Sequence, residues 1–174
     1  MIRADTVGIG NLARDLARVV ADVPKTFAQA ASSVARASGT EAKREITAIY
    51  NIKQGRVAES LTSVAKGYEV ITTGKGKGVP TLQSFGGKQS AKGYTAAVKK
   101  GRRKLNRRGF TPAKFNGLPF EREGSARIPI KVLYGPSVAS MLRNREVSER
   151  FVLRQSIRAR DELTRRIFRE MSKR

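Results

Sequence analysis

Between Asn11 and Tyr50 the apolar side chains return every three or four residues: Leu12, Leu16, Val19, Val20 and Val23, then Phe27, Ala31 and Val34, then Ile46, Ile49 and Tyr50. That spacing collects them on one face of a helix, so a long helical region is predicted. Pro24, two residues after Asp22, suits the first turn of a new segment and predicts a kink or break near Val23. "SGTE" at 38–41 has the Ser-x-x-Glu form of a capping box, and Gly39 weakens continuity, which predicts a second interruption.

Beyond "GRVAESLTSVA", read from Gly55 as a short helix passing into a strand, the pattern changes. "YEVITT" (68–73), "TLQSF" (81–85), "YTAAV" (94–98), "FNGLPFE" (115–121) and "RIPIKVLY" (127–134) are short, bounded by Gly, Pro or Ser, and rich in β-branched or aromatic residues. They predict strands of a small antiparallel or mixed sheet. In the last of them Ile128, Ile130 and Val132 alternate with Arg127, Pro129 and Lys131, giving one buried face, and Pro129 predicts an edge or a bulge. "GPSVASML" turns into a short helix from about Ser137. After Asn144 a long charged helix carries Leu153, Ile157, Thr164, Ile167, Phe168 and Met171 on one thin stripe, interrupted by Arg160, with Glu162 and Arg166 at i,i+4. So thin a stripe needs a partner to cover it, and the terminal helices are expected to order on assembly. The fold expected is α+β in one domain over 1–174: mainly helical to 60, a β-rich basic core over 61–135, and a helical C-terminal arm over 136–174.

Thirty-six Lys and Arg against fourteen Asp and Glu leave a net charge of +22. That excess repels itself in a compact chain and calls for a polyanion or an acidic protein surface. It is unevenly spread: twelve cationic residues and no acidic one lie between Val70 and Phe120. Cysteine and histidine are both absent. Disulfides, Cys-based zinc sites, and Ser-His-Asp or Cys-His catalysis are thereby excluded, so no enzyme, cofactor or metal site is expected. No apolar run reaches transmembrane or signal-peptide length, and the chain is expected in the cytosol when made.

Three motifs invite stronger readings. "TGKGKGVP" (73–80) and "FGGKQS" (85–90) lack the Gly-x4-Gly-Lys-Ser/Thr spacing of a phosphate loop and read as hairpin loops. In "FEREG", Glu121 and Glu123 share one strand face about 7 Å apart. Arg122 and Arg127 beside them favour cross-strand ion pairing over acid–base work. "AVKKGRRKLNRRGF" (97–110) holds Lys99, Lys100, Arg102, Arg103, Lys104, Arg107 and Arg108 with no acidic residue. It fits a solvated hairpin, a non-specific phosphate contact without aromatic residues for base stacking, or an arm that docks on an acidic surface. Seven engaged phosphates would give log K a slope of about −6 against log salt.

The order of segments also carries a resemblance. "AIYNIKQGRVAESLTSV", "VITTGKGKGVPTLQSFG", "VKKGRRKLNRRGF" and, most specifically, "FEREGSARIPIKVLYGPSV" follow one another over roughly residues 40–145. In this the chain resembles the minor tail protein Z family of tailed bacteriophages and prophages. The resemblance implies an α+β tail-completion protein of the virion tail or neck, made in the host cytoplasm, that helps join tail to DNA-filled head. It implies partners too: further copies in a ring, taken as six; the tail terminator, tail tube and head–tail connector; and DNA in the channel. Six copies would bring on the order of +130 to such a ring. The seven cations of 99–108 match the family's basic segment and would face the DNA or the next ring from a sheet-borne loop. "LYGPSV" matches a strand-to-helix turn, with Gly135 expected at positive φ and Pro136 opening the next turn. The alternative from residues alone is a basic, non-specific nucleic-acid-binding protein of bacterial or ribosomal type.

Overall fold

The computed structural model describes residues 6–76 and 78–172, the first of these as backbone only up to residue 22. Two long helices, α1 (Thr6–Ile49) and α4 (Arg145–Ser172), enclose α2 (Gln54–Ala58), eight short strands and α3 (Val138–Arg143). The strands form three antiparallel sheets. β1 (Leu61–Lys66) and β2 (Glu69–Gly74) make a hairpin; β3 (Lys88–Ser90), β4 (Gly93–Lys99) and β5 (Arg102–Asn106) form the second sheet in that order. β6 (Gly109–Phe110), β7 (Phe120–Arg122) and β8 (Ile130–Val132) form the third, with β8 at an edge as Pro129 requires.

The predicted breaks in the first helix are absent. α1 runs through Pro24, whose fixed φ is helical although it has no N–H to donate within the helix. "SGTE" is helix interior. The Ser38 hydroxyl lies 2.9 Å from the Val34 carbonyl and 2.5 Å from Gln155 Oε1, and Glu41 is taken by Arg158 of α4. A capping box needs both side chains turned back on the helix's own amides, and here both are committed across to α4. The stripe positions Leu12, Leu16, Val19 and Val20 lie outside the described side chains; Ala31, Val34, Ile46 and Tyr50 are buried as expected.

Gly39 is in helical backbone, and a Cβ there would meet Ser63 Oγ at 3.6 Å, an ordinary contact. Gly39→Ala should therefore stabilise the domain by about 0.5–1 kcal/mol through backbone entropy. A thermal midpoint raised by roughly 1–4 °C checks this.

Two expected strands are different objects. Residues 82–85 of "TLQSF" make a 3-10 turn, because Leu82 and Phe85, three apart, both turn toward the core. "FNGLPFE" is strand only from Phe120; before it, a 3-10 turn over Ala113–Phe115 ends at Asn116 with φ 47°. β8 is shorter than predicted, and Ile128, beside the cis Ile128–Pro129 bond, is exposed rather than part of a buried face. Gly135 does not have positive φ. Glycine is needed there for room, since a Cβ would overlap the edge of the Phe85 ring. Pro136 stands just before the cap, and Ser137 is the N-cap, its Oγ accepting from the Ser140 amide at 3.1 Å.

The core gathers where the end of α1 meets α2, α3, the Phe85 turn and the start of α4: Ile46, Tyr50, Ile52, Val57, Phe85, Val138, Met141 and Val147. Above it α1 and α4 pack along a largely polar seam. Arg158 pairs with Glu41 at 2.5 Å and Arg154 with Glu45 at 2.7 Å; Gln155 also donates to Glu41. The predicted Glu162–Arg166 pair forms at 2.8 Å, joined by Arg165, and Arg166 reaches Gln29 on α1. The apolar stripe of α4 is on the opposite side. Leu153, Ile157, Phe168 and Met171 are each more than half exposed.

Candidate functional site

The basic segment is an antiparallel hairpin, not a loop on a sheet. Lys99 pairs with Arg102 across a Lys100–Gly101 turn in which Gly101 has φ 73°. The ladder then slips by one residue on β4 before Ala96 meets Lys104 and Tyr94 meets Asn106. β5 is an edge strand, exposed along four of its five residues. Lys and Arg on such an edge also hinder pairing with another chain, a structural role that needs no ligand.

The seven predicted residues separate into three environments. Lys99 and Lys100 stand at the C-terminus of α1: the Lys100 amide donates to the Ile49 carbonyl at 2.9 Å, and Lys99 Nζ lies 5.9 Å from the Tyr50 ring centre. Both complement the negative end of the helix, so part of their purpose is the fold. Arg102, Arg103 and Lys104 line the edge strand, with Arg103 donating to Thr95 Oγ1 at 3.3 Å. Arg107 and Arg108 occupy the β5–β6 turn, held because Asn106 Oδ1 accepts from the Arg108 amide at 3.0 Å.

That turn forms one wall of a cleft of about 680 Å³ that sequence spacing did not disclose. Lys92, from the β3–β4 turn, and Arg122, from β7, join Arg107 and Arg108 there. Arg122 is steadied over Phe110, its guanidinium carbon 5.3 Å from the ring centre. No carboxylate lines the cleft, and among the described residues none of its four cations has an ion-pair partner. Glu121 is nearby but turned to Asn106, which donates to it at 3.3 Å. Glu123 pairs weakly with Lys131 at 3.9 Å, so the "FEREG" carboxylates are separately engaged, one by an amide and one by a cation. Of the two phosphate-loop lookalikes, "FGGKQS" has a structural explanation: Gly86 closes the Phe85 turn at φ 65°, and Gly87 leaves room for the Tyr94 hydroxyl. Lys77 of "TGKGKGVP" lies outside the described residues.

Among the described residues no group of three or more acidic residues could hold a metal ion, and no helix is long and apolar enough to cross a membrane. The most enclosed carboxylates belong to the seam. Burial pushes the Glu162 carboxyl up, but hydrogen bonds from Arg166, Arg165 and Ser33 outweigh it and hold the group below its ordinary value of 4.5. A lowered native pKa gives stability that is complete above the ordinary value and lost as pH falls through the native one. Thermal midpoints should therefore drop below about pH 4.5, and Glu162→Gln should lose the part of that drop due to this carboxyl.

Comparison with family models, with curated proteins and with solved structures gives no match for the chain.

Proposed function

We propose that the protein is a structural component of a tailed-phage virion, a subunit of a ring at the tail or neck that completes the tail and supports head–tail joining. The observation that carries this reading is the coexistence of two unsatisfied surfaces on one chain. Among the described residues, the cations of β5 and of the cleft have no acidic partner, and α4 presents an apolar stripe away from its own core. A subunit whose stripe is covered by a neighbouring copy and whose basic face meets DNA or an acidic ring would satisfy both. Glu149 and Asp161, Arg150 and Arg160 accompany the stripe along α4, a mixture of signs suited to contact with a second like-charged copy. The resemblance over residues 40–145 supplies the virion context, and tail terminator, tail tube and connector proteins are the neighbours it names. The segment that carries it most specifically, "FEREGSARIPIKVLYGPSV", spans β7, β8, the Phe85-packed Gly135 and the Ser137 cap.

The acid-free stretch from Val70 to Phe120 favours a second reading, a free-standing non-specific nucleic-acid binder. Mass spectrometry of purified particles separates the two. A virion component is retained at a fixed number of copies per particle, whereas a free binder stays in the lysate and is absent from particles.

A further inference from the structure

The cleft between the β3–β4 turn, the β5–β6 turn and the Gly124–Ser125 loop is the place where the chain gathers positive charge from parts of the sequence far from one another. Lys92, Arg107, Arg108 and Arg122 arrive from three separate strand connections and strands, and the folding that unites them is specific. Gly93 takes φ 130° and approaches the Asn106 carbonyl and the Arg107 backbone too closely for any side chain. Gly109 packs on Tyr94, where a Cβ would come within 2.6 Å of Tyr94 Cβ. These two contacts set the Arg107–Arg108 turn directly against the Lys92 turn. The register of Gly109 with Glu121 then brings in the neighbouring Arg122.

We propose that this cleft seats backbone phosphates of a nucleic-acid strand and that β5 continues the track. The assignment rests on the reading of the β side as an anion-meeting face, and names both the anion and two residues, Lys92 and Arg122, outside the basic run. Three arginines offer planar donor forks that match phosphate oxygens, and Arg122 is already oriented by Phe110, so less freedom is lost on binding. A cleft of this volume admits a phosphate and its sugar, and Gly124 adds no side chain to its lining. From Arg102 to Asn106 the edge strand extends about 14 Å. Projected on the axis of a duplex, that length corresponds to about four phosphates of one strand at about 3.4 Å of rise each, and cleft and strand together form a linear cationic surface. Protein carboxylates could pair with single arginines, but an extended row of anions at short, regular intervals is the chemistry of a phosphodiester backbone. With Arg122 over the Phe110 face, binding is through phosphates and independent of base sequence.

The test measures binding of the full-length protein to a short fluorescent DNA duplex over a range of salt concentrations, beginning at low salt. Three proteins are compared: the wild type, a cleft variant (Lys92→Gln, Arg107→Gln, Arg108→Gln, Arg122→Gln), and an edge variant (Arg102→Gln, Arg103→Gln, Lys104→Gln). Circular dichroism and thermal midpoints establish that each is folded. If all four cleft cations engage phosphates, the cleft variant should reduce the magnitude of the log K against log salt slope by about 3.6. If a correctly folded cleft variant keeps the full slope, the cleft is not the seat. Failure of the wild type to bind duplex at low salt overturns the assignment as well. So does a mononucleotide that binds as tightly as the duplex, which would make the cleft a small-anion site. Tighter binding of polyglutamate, lost in the cleft variant, would instead identify an acidic protein partner. None of these outcomes alters whether the protein is found in particles, so the virion reading stands or falls separately.

Discussion

Glutamine at Arg102, Arg103, Lys104, Arg107 and Arg108 should leave the domain folded and, under the proposed virion role, lower the yield of DNA-retaining, infectious particles by about a hundredfold. The estimate takes roughly 0.5 kcal/mol for each exposed cation that meets an anion. Five together give about 2.5 kcal/mol, close to two powers of ten in an equilibrium. Folding should survive because among the described residues none of the five has an ion pair to lose and all five lie exposed on the edge strand or the turn that follows it, with Arg103 giving up only a 3.3 Å hydrogen bond to Thr95. Lys99 and Lys100 are left in place because they complement the C-terminus of α1. Adding Lys99→Gln and Lys100→Gln should lower the thermal midpoint, which the five-residue variant should not. Normal plaque counts from the five-residue variant would assign the cations to solubility and edge protection.

The second large effect is structural. Gly93→Ala should cost about 4 kcal/mol, combining strain at φ 130° with a collision against backbone that has no side-chain torsion to yield. For a domain of this size that is a fall of roughly 10 °C in thermal midpoint. Gly101→Ala is the internal control. Its φ of 73° is also unfavourable to alanine, but a Cβ there meets nothing within 4 Å, so the cost should be only about 1 kcal/mol. Equal losses at the two sites would mean that the Gly93 contact with Asn106 and Arg107 contributes nothing, and the shape of the cleft would lose its foundation.

The α+β class was legible because the apolar period changes from helical to strand-like near Gly67 and back again after Ser137, and periodicity reports local structure directly. What it does not report is which neighbour a face meets. Leu153, Ile157, Phe168 and Met171 do share a stripe, but α4 turns its arginines to α1 and leaves that stripe outside. The signal that was available lies in two i,i+4 pairs, Glu41 with Glu45 and Arg154 with Arg158, which are complementary across antiparallel helices. "SGTE" misled because residues that suit a helix end also survive within one when tertiary contacts occupy their side chains. Pro24 misled because its fixed φ is compatible with helix interior as well as with a first turn. The basic run was plain in the sequence; the cleft was not. Lys92 and Arg122 are separated by thirty residues and meet only through the registers of two different sheets.

The proposed role in tail completion can be tested by electron microscopy of lysates from a phage whose copy of this gene carries an early stop codon. That role predicts filled heads and full-length tails lying apart, or joined particles that have lost their DNA. Normal, infectious particles in normal numbers would contradict it and leave the basic face as that of a nucleic-acid-binding protein acting outside the virion.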